Sequence, residues 1–105
     1  MTDPDERVGI ELERVVRRWQ QLPLDRALSA LPHVSALVQT LADEVAAASE
    51  QVWSRPVGSG RAQVPDLGPG AVMDQLRVMV YDWQQADLPA GDLADRLTTL
   101  RRSLP

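Results

Sequence analysis

The chain contains no cysteine, lysine, asparagine or phenylalanine, and only one histidine, His33, and one isoleucine, Ile10. Each absence removes a class of chemistry. Without cysteine there is no disulfide, no thiolate nucleophile and no Cys-based zinc or iron–sulfur site. Without lysine there is no Schiff-base amine and no phosphate-loop lysine. A single histidine cannot supply a two-His metal motif. No apolar run approaches eighteen residues, so no membrane span is expected. The opening MTDPDERVGIELER is acidic and lacks the apolar stretch of a signal peptide. A cytoplasmic location is expected on these grounds, and the missing cysteines suit a reducing compartment.

All eleven basic residues are arginine. Depletion of Lys, Asn, Phe and Ile with abundant Ala, Arg and Pro is what GC-rich codons produce. The net charge is −4. Residues 1–52 hold five arginines and nine acids, which gives −4, and residues 53–105 hold six of each, which gives 0. Neither half offers the basic face of a nucleic-acid binder, so neither nucleic acid nor membrane is an expected partner.

What remains is a chain of 105 residues, 44% of them apolar. That is enough for one domain, spanning 1–105, to fold without a staple. Leucine and valine supply most of the core, with Trp19, Trp53 and Trp83 as its large pieces.

Helical periodicity dominates. Asp3, Pro4 and Glu6 mark a helix start as N-cap, first helical residue and capping-box acid. Val8, Leu12, Val15, Trp19 and Leu22 then form one stripe, which Pro23 ends. Leu24 to Leu31 reads as a short helical piece, with Leu24, Leu28 and Leu31 on one side. Pro32 either separates it from the next helix or kinks a joint one. A second long helix runs from about Pro32 to Gln51, with Val34, Val38, Leu41, Val45, Ala48 and Val52 along its stripe. A third runs from about Pro69 to Ala86, with Val72, Leu76, Met79 and Trp83 inward and Met73 and Val80 beside them. The last runs from about Pro89 or Asp92 to Ser103 on Leu93, Leu97, Leu100 and Leu104. Asp92 near its start and Arg101 and Arg102 near its end agree with the helix dipole. No segment alternates with the period of a half-buried strand. The expected fold is all-α: a four-helix bundle with an additional short helix and a long Gly/Pro-rich connection, at about residues 53–68, between helices two and three.

That connection, SRPVGSGRAQVPDLGPG at residues 54–70, holds four of the six glycines and three of the eight prolines. It is not a phosphate loop, because no strand precedes it and no Lys-Ser/Thr follows its glycines. Its length, at about 3.3 Å per extended residue, is enough to run along a whole helix and let helices two and three lie parallel. Val57, Val64 and Leu67 are placed to pin it. Gly58 to Arg61 is expected to be mobile, and Val64 to Gly70 ordered, with Leu67 packed and Gly68-Pro69 starting helix three. Asp66 is positioned as an internal cap. Arg55, Arg61 and the Gly68–Gly70 helix start are the candidate ligand-binding set, because free N–H groups at a helix start attract anions. A small anion is therefore a possible ligand, although a strap ending in a capped helix explains the same residues.

Other polar clusters have structural readings. Arg14, Arg17 and Arg18 fit the C-terminal end of the first helix, where Glu13 and Arg17 form a favourable i,i+4 pair; the same arginines could grip a phosphate or an acidic partner. Asp74, Arg77, Tyr81 and Gln85 make a polar row on helix three that reads as surface pairing, and His33 reads as a helix-start residue. No catalytic constellation, metal site or cofactor is identified, so a non-enzymatic role is expected. Ile10 and Val78 lie off the inward stripes and give their helices a second apolar contact. They are the candidate interface residues, most simply for a homodimer, and the expected activity is protein–protein contact.

Val64-Pro65-Asp66-Leu67-Gly68-Pro69-Gly70-Ala71, followed by Asp74-Gln75-Leu76-Arg77-Val78 and Tyr81-Asp82, resembles segments of small uncharacterised helical proteins from GC-rich actinobacteria. The resemblance covers about a fifth of the chain and implies a helical fold without implying an activity. Trp53-Ser54-Arg55 does not match the Trp-x-Gly turn of small secreted helical-hairpin proteins, and Gln85 stands four residues after Tyr81 where those proteins carry an acid.

Overall fold

The computed structural model describes the backbone of residues 2–53 and 63–105, and the side chains of residues 2–49 and 63–105. Among these residues there are four helices and no strand: α1 (Pro4–Gln21), α2 (Leu24–Trp53), α3 (Val72–Gln85) and α4 (Ala90–Ser103). The first begins as expected, with the Asp3 carboxylate accepting from the Asp5 N–H at 3.4 Å and Pro4 at the first helical position. It closes with the Leu22 N–H on the Trp19 carbonyl, one residue before Pro23.

The expected short helix does not stand alone. Residues 24–31 are the opening turns of the 30-residue α2, which continues through Pro32. Proline has no N–H, so the Leu28 carbonyl loses its helical partner. Leu28 is half-exposed, and water can take that bond, which is why the helix survives the break. Continuity also fixes the phase of the first turns. Val34, Val38 and Leu41 face inward, and the same face brings in Ala27 and Ala30. Leu24 and Leu28 therefore turn outward instead of forming an inward stripe. His33 consequently lies within a helix, not at its start.

The third helix starts at Val72, later than the expected Pro69. Gly68 has φ +85°, a left-handed conformation that only glycine adopts cheaply. The Ala71 N–H then closes a turn on the Gly68 carbonyl before the helix begins. Met73 and Val80 are buried and Met79 only half-buried, so the inward face is rotated from the expected one. The helix ends in a Schellman motif. The Leu88 N–H reaches the Trp83 carbonyl and the Asp87 N–H reaches the Gln84 carbonyl. Asp87 supplies the left-handed residue, with φ 56°. Asp87→Gly should raise stability by about 0.5 kcal/mol, and Asp87→Val should lower it by about 1–2 kcal/mol, because a β-branched side chain resists positive φ. Thermal melts of the two variants should move in opposite directions from wild type.

Interhelical contacts set the helix directions. Arg7 pairs with Asp95 and Glu11 with Arg101, so α1 and α4 run the same way. Glu13 pairs with Arg77 and Trp19 donates to the Pro69 carbonyl, so α1 and α3 run oppositely. Glu44 pairs with Arg96, while His33 and Ser103 line one groove, so α2 opposes α4. It follows that α2 and α3 are parallel. The chain must return before α3 starts, and Val64 already lies beside Gln39, fourteen residues before the end of α2.

The molecule measures 44 × 37 × 17 Å. The thin dimension matches two helix layers, at about 10 Å between axes plus a backbone radius of about 2.3 Å on each side. α1 packs mainly along α4 and α2 mainly along α3. One core joins them, with Val8, Val15, Val34, Val38, Leu41, Val72, Leu76, Trp83, Leu93 and Leu97 almost wholly buried. Trp19 belongs to the same core; the Trp53 side chain lies outside the described residues.

Candidate functional site

Of the candidate ligand residues, Arg55 and Arg61 lie outside the described residues, as do Val57 and the Gly58–Arg61 segment expected to be mobile. Gly68 and Gly70 sit in the turn ahead of α3. The Gly68 N–H donates to the Asp66 carboxylate at 3.0 Å, which closes a local turn; Asp66 does not cap α3, whose N-cap Ala71 carries no side-chain bond. Polar bonds hold this strap. The Val64 N–H donates to Gln39 Oε1 at 2.8 Å, Gln75 Nε2 to the Pro65 carbonyl at 2.8 Å, and Trp19 Nε1 to the Pro69 carbonyl at 3.1 Å. Leu67 is not the expected anchor. With both flanks tied, its side chain points outward and is 62% exposed. The concavity of about 420 Å³ beside the strap is lined by Leu31, Pro32, Val38, Gln39, Val64, Pro65 and neighbours, and Asp66 is its one charged group among the described residues.

Positive charge collects elsewhere. Arg14, Arg17 and Arg18 from the last turns of α1 meet Arg101 from α4 around a concavity of about 300 Å³, completed by Gln21. Two of these arginines share the carboxylate of Glu11, a residue only 7% exposed. Glu11 Oε2 accepts from Arg101 Nε at 2.9 Å and Oε1 from Arg14 Nη1 at 3.0 Å. Burial alone pushes the Glu11 carboxyl up. The hydrogen bond and charge of Arg101, joined by those of Arg14, outweigh it and hold the group below the usual carboxylate range. Arg18 donates to the backbone oxygen of Pro105.

Sequence reading missed Glu11 and Arg101 as a pair. A signal was present: Glu11 stands three residues after Val8 and four before Val15, on the line between two buried valines. Leu12, assigned to that stripe, is half-buried. Nothing local could name the partner, which lies 90 residues away. Glu13 likewise pairs across helices with Arg77 at 3.0 Å and not with the expected Arg17.

Ile10 and Val78 are 46% and 54% exposed. The Glu13–Arg77 pair shows how their helices meet. Ile10 lies one turn before Glu13 on α1, and Tyr81 one turn after Arg77 on α3. Tyr81 is 60% exposed, and Ile10 lines a shallow concavity with Glu6, Gly9, Glu13, Arg14 and Arg17 of its own helix. Val78 is the i−3 neighbour of Tyr81 on the same helix.

A third polar centre is structural. Arg96 donates to both oxygens of Glu44, pairs with Asp92 at 3.3 Å, and lies over the Trp83 ring with 5.3 Å to its centre. The bonds to Glu44 raise its already high pKa. This residue ties α2, α3 and α4 together. No group of three His, Cys, Asp or Glu side chains suited to a metal ion occurs among the described residues, and no helix there is long and apolar enough to cross a membrane.

These features define a class of protein: all-helical among the described residues, with its helices tied to one another by ion pairs such as Arg7–Asp95, Glu13–Arg77, Glu44–Arg96 and Glu11–Arg101. No protein-family model matches the chain, and no curated protein or solved structure matches it significantly.

Proposed function

We propose that this chain is a non-enzymatic protein–protein interaction module of the cytoplasm, built as a four-helix bundle and associating as a homodimer through the face that carries Ile10 and Val78. The observation that carries this reading is that Ile10 on α1 and Val78 and Tyr81 on α3 are turned outward, away from the core. Single exposed apolar residues are ordinary, but Val78 and Tyr81 are i,i+3 neighbours on one helix face, and adjoining apolar side chains mark contacts. A two-fold axis lets one patch cover itself and closes the assembly at two copies.

Light scattering at tens of micromolar should give the mass of a dimer. The double substitution Ile10→Arg, Val78→Arg should give a folded monomer whose thermal midpoint, unlike that of the wild type, does not rise with protein concentration. A wild-type monomer at that concentration would remove the proposal.

A further inference from the structure

We infer that the arginine-lined concavity at the C-terminal ends of α1 and α4 binds a phosphoryl oxyanion carried by a small molecule. The inference is independent of self-association. Four guanidinium groups, those of Arg14, Arg17, Arg18 and Arg101, surround the same space of about 300 Å³. Two of them are held in place by the buried Glu11 carboxylate. Arg101 spends its Nε–H on Glu11, which leaves the donors of both Nη groups for a ligand. Arg17 makes no ion pair with any described residue.

Charge counting supports an anion here. The four arginines supply +4 and Glu11 removes one. Two parallel helices end at this place, each adding roughly −0.5, and the Pro105 oxygen occupies Arg18, so the excess that remains is smaller but still positive. The chain as a whole carries −4, so the excess is local. A phosphate monoester carries the opposite charge, and planar guanidinium forks take its oxygens in pairs. The volume stands at the small end of small-molecule sites and accommodates a phosphoryl group with a short organic remainder. A nucleic-acid duplex presents a phosphate charge about every 1.7 Å of axis and calls for an extended basic strip instead.

The test is a nuclear magnetic resonance titration of the full chain at constant ionic strength with glycerol 3-phosphate, inorganic phosphate and chloride. The two phosphates should give saturable shifts at the Arg17 and Arg101 side-chain N–H signals that chloride does not give. A tighter monoester identifies a phosphorylated metabolite as the ligand class, and equal affinities identify a site for the free ion; both support the inference. Arg17→Ala should weaken binding about tenfold, the loss of a charge-assisted hydrogen bond, with its thermal midpoint unchanged. Arg101→Lys, which keeps the charge opposite Glu11 but loses the fork, should weaken it as well. Shifts reproduced by chloride, wild-type affinity in Arg17→Ala, or a short DNA duplex that outcompetes glycerol 3-phosphate would each overturn it.

Discussion

Trp83→Ala should destabilise the protein by about 4 kcal/mol, a large share of the 5–15 kcal/mol typical of a domain. Trp83 is only 2% exposed, near the end of α3. Three losses combine. Its ring fills the core beside α4, its Nε1 donates to the Pro89 carbonyl at 3.1 Å, and Arg96 rests on its face. The buried volume accounts for most of the loss; the hydrogen bond adds about 1 kcal/mol and the cation–π contact about 0.5–1 kcal/mol. Trp83 also provides the carbonyl that accepts from Leu88 in the Schellman motif, so its packing sets the angle at which α4 departs. For a chain of this size the thermal midpoint should fall on the order of 20 °C. Trp83→Phe keeps much of the volume and should lose less than half as much. Urea melts followed by circular dichroism measure both, and a Trp83→Ala loss under about 1 kcal/mol would contradict the packing described above.

Glu11 is the next most consequential side chain. Glu11→Ala should cost about 2 kcal/mol. That is less than the 3–5 kcal/mol for stranding a fully buried charge, because Arg101 and Arg14 retain 30% and 56% exposure and can turn to water. The pH dependence carries a definite sign. The folded pKa of Glu11 lies below its unfolded value, so its stabilisation is fully present above the unfolded pKa, about 4.3. It is lost as the pH falls through the depressed folded value. The stability gap between wild type and Glu11→Gln should therefore be constant from neutrality down to mild acid, then narrow on further acidification as the carboxyl protonates and comes to resemble the amide. Urea midpoints for the two proteins across that range are the measurement. A gap that holds steady into strong acid would show that the ion pairs of Glu11 contribute nothing.

The contrast between these two residues shows what was readable in advance. Trp83 was assigned to the inward stripe of helix three from spacing alone, and the core holds it there. Burial of an apolar stripe depends on helical periodicity, a local property. Glu11 sits at equally regular spacing, but its burial depends on a partner from α4, and charge type gives no hint that such a partner exists. The outward turn of Leu24 and Leu28 is a similar case. Their own spacing suits an inward face, but the phase of α2 is fixed by the larger stripe beyond Pro32, and a helix has only one phase. Leu67 was misread because its apolarity was weighed and the polar ties of Val64, Pro65 and Pro69 on either side were not visible.

By itself, the sequence determined that the described chain is helical, where α1 and α4 lie, and which chemistries are excluded. These follow from composition, caps and periodicity, which act within a few residues. The tertiary structure decided the rest: that α2 runs unbroken through Pro32, that α2 and α3 are parallel, and that arginines from opposite ends of the chain converge on one buried carboxylate. Those outcomes depend on which helix packs against which, and that choice is made by the summed burial of all four helices at once.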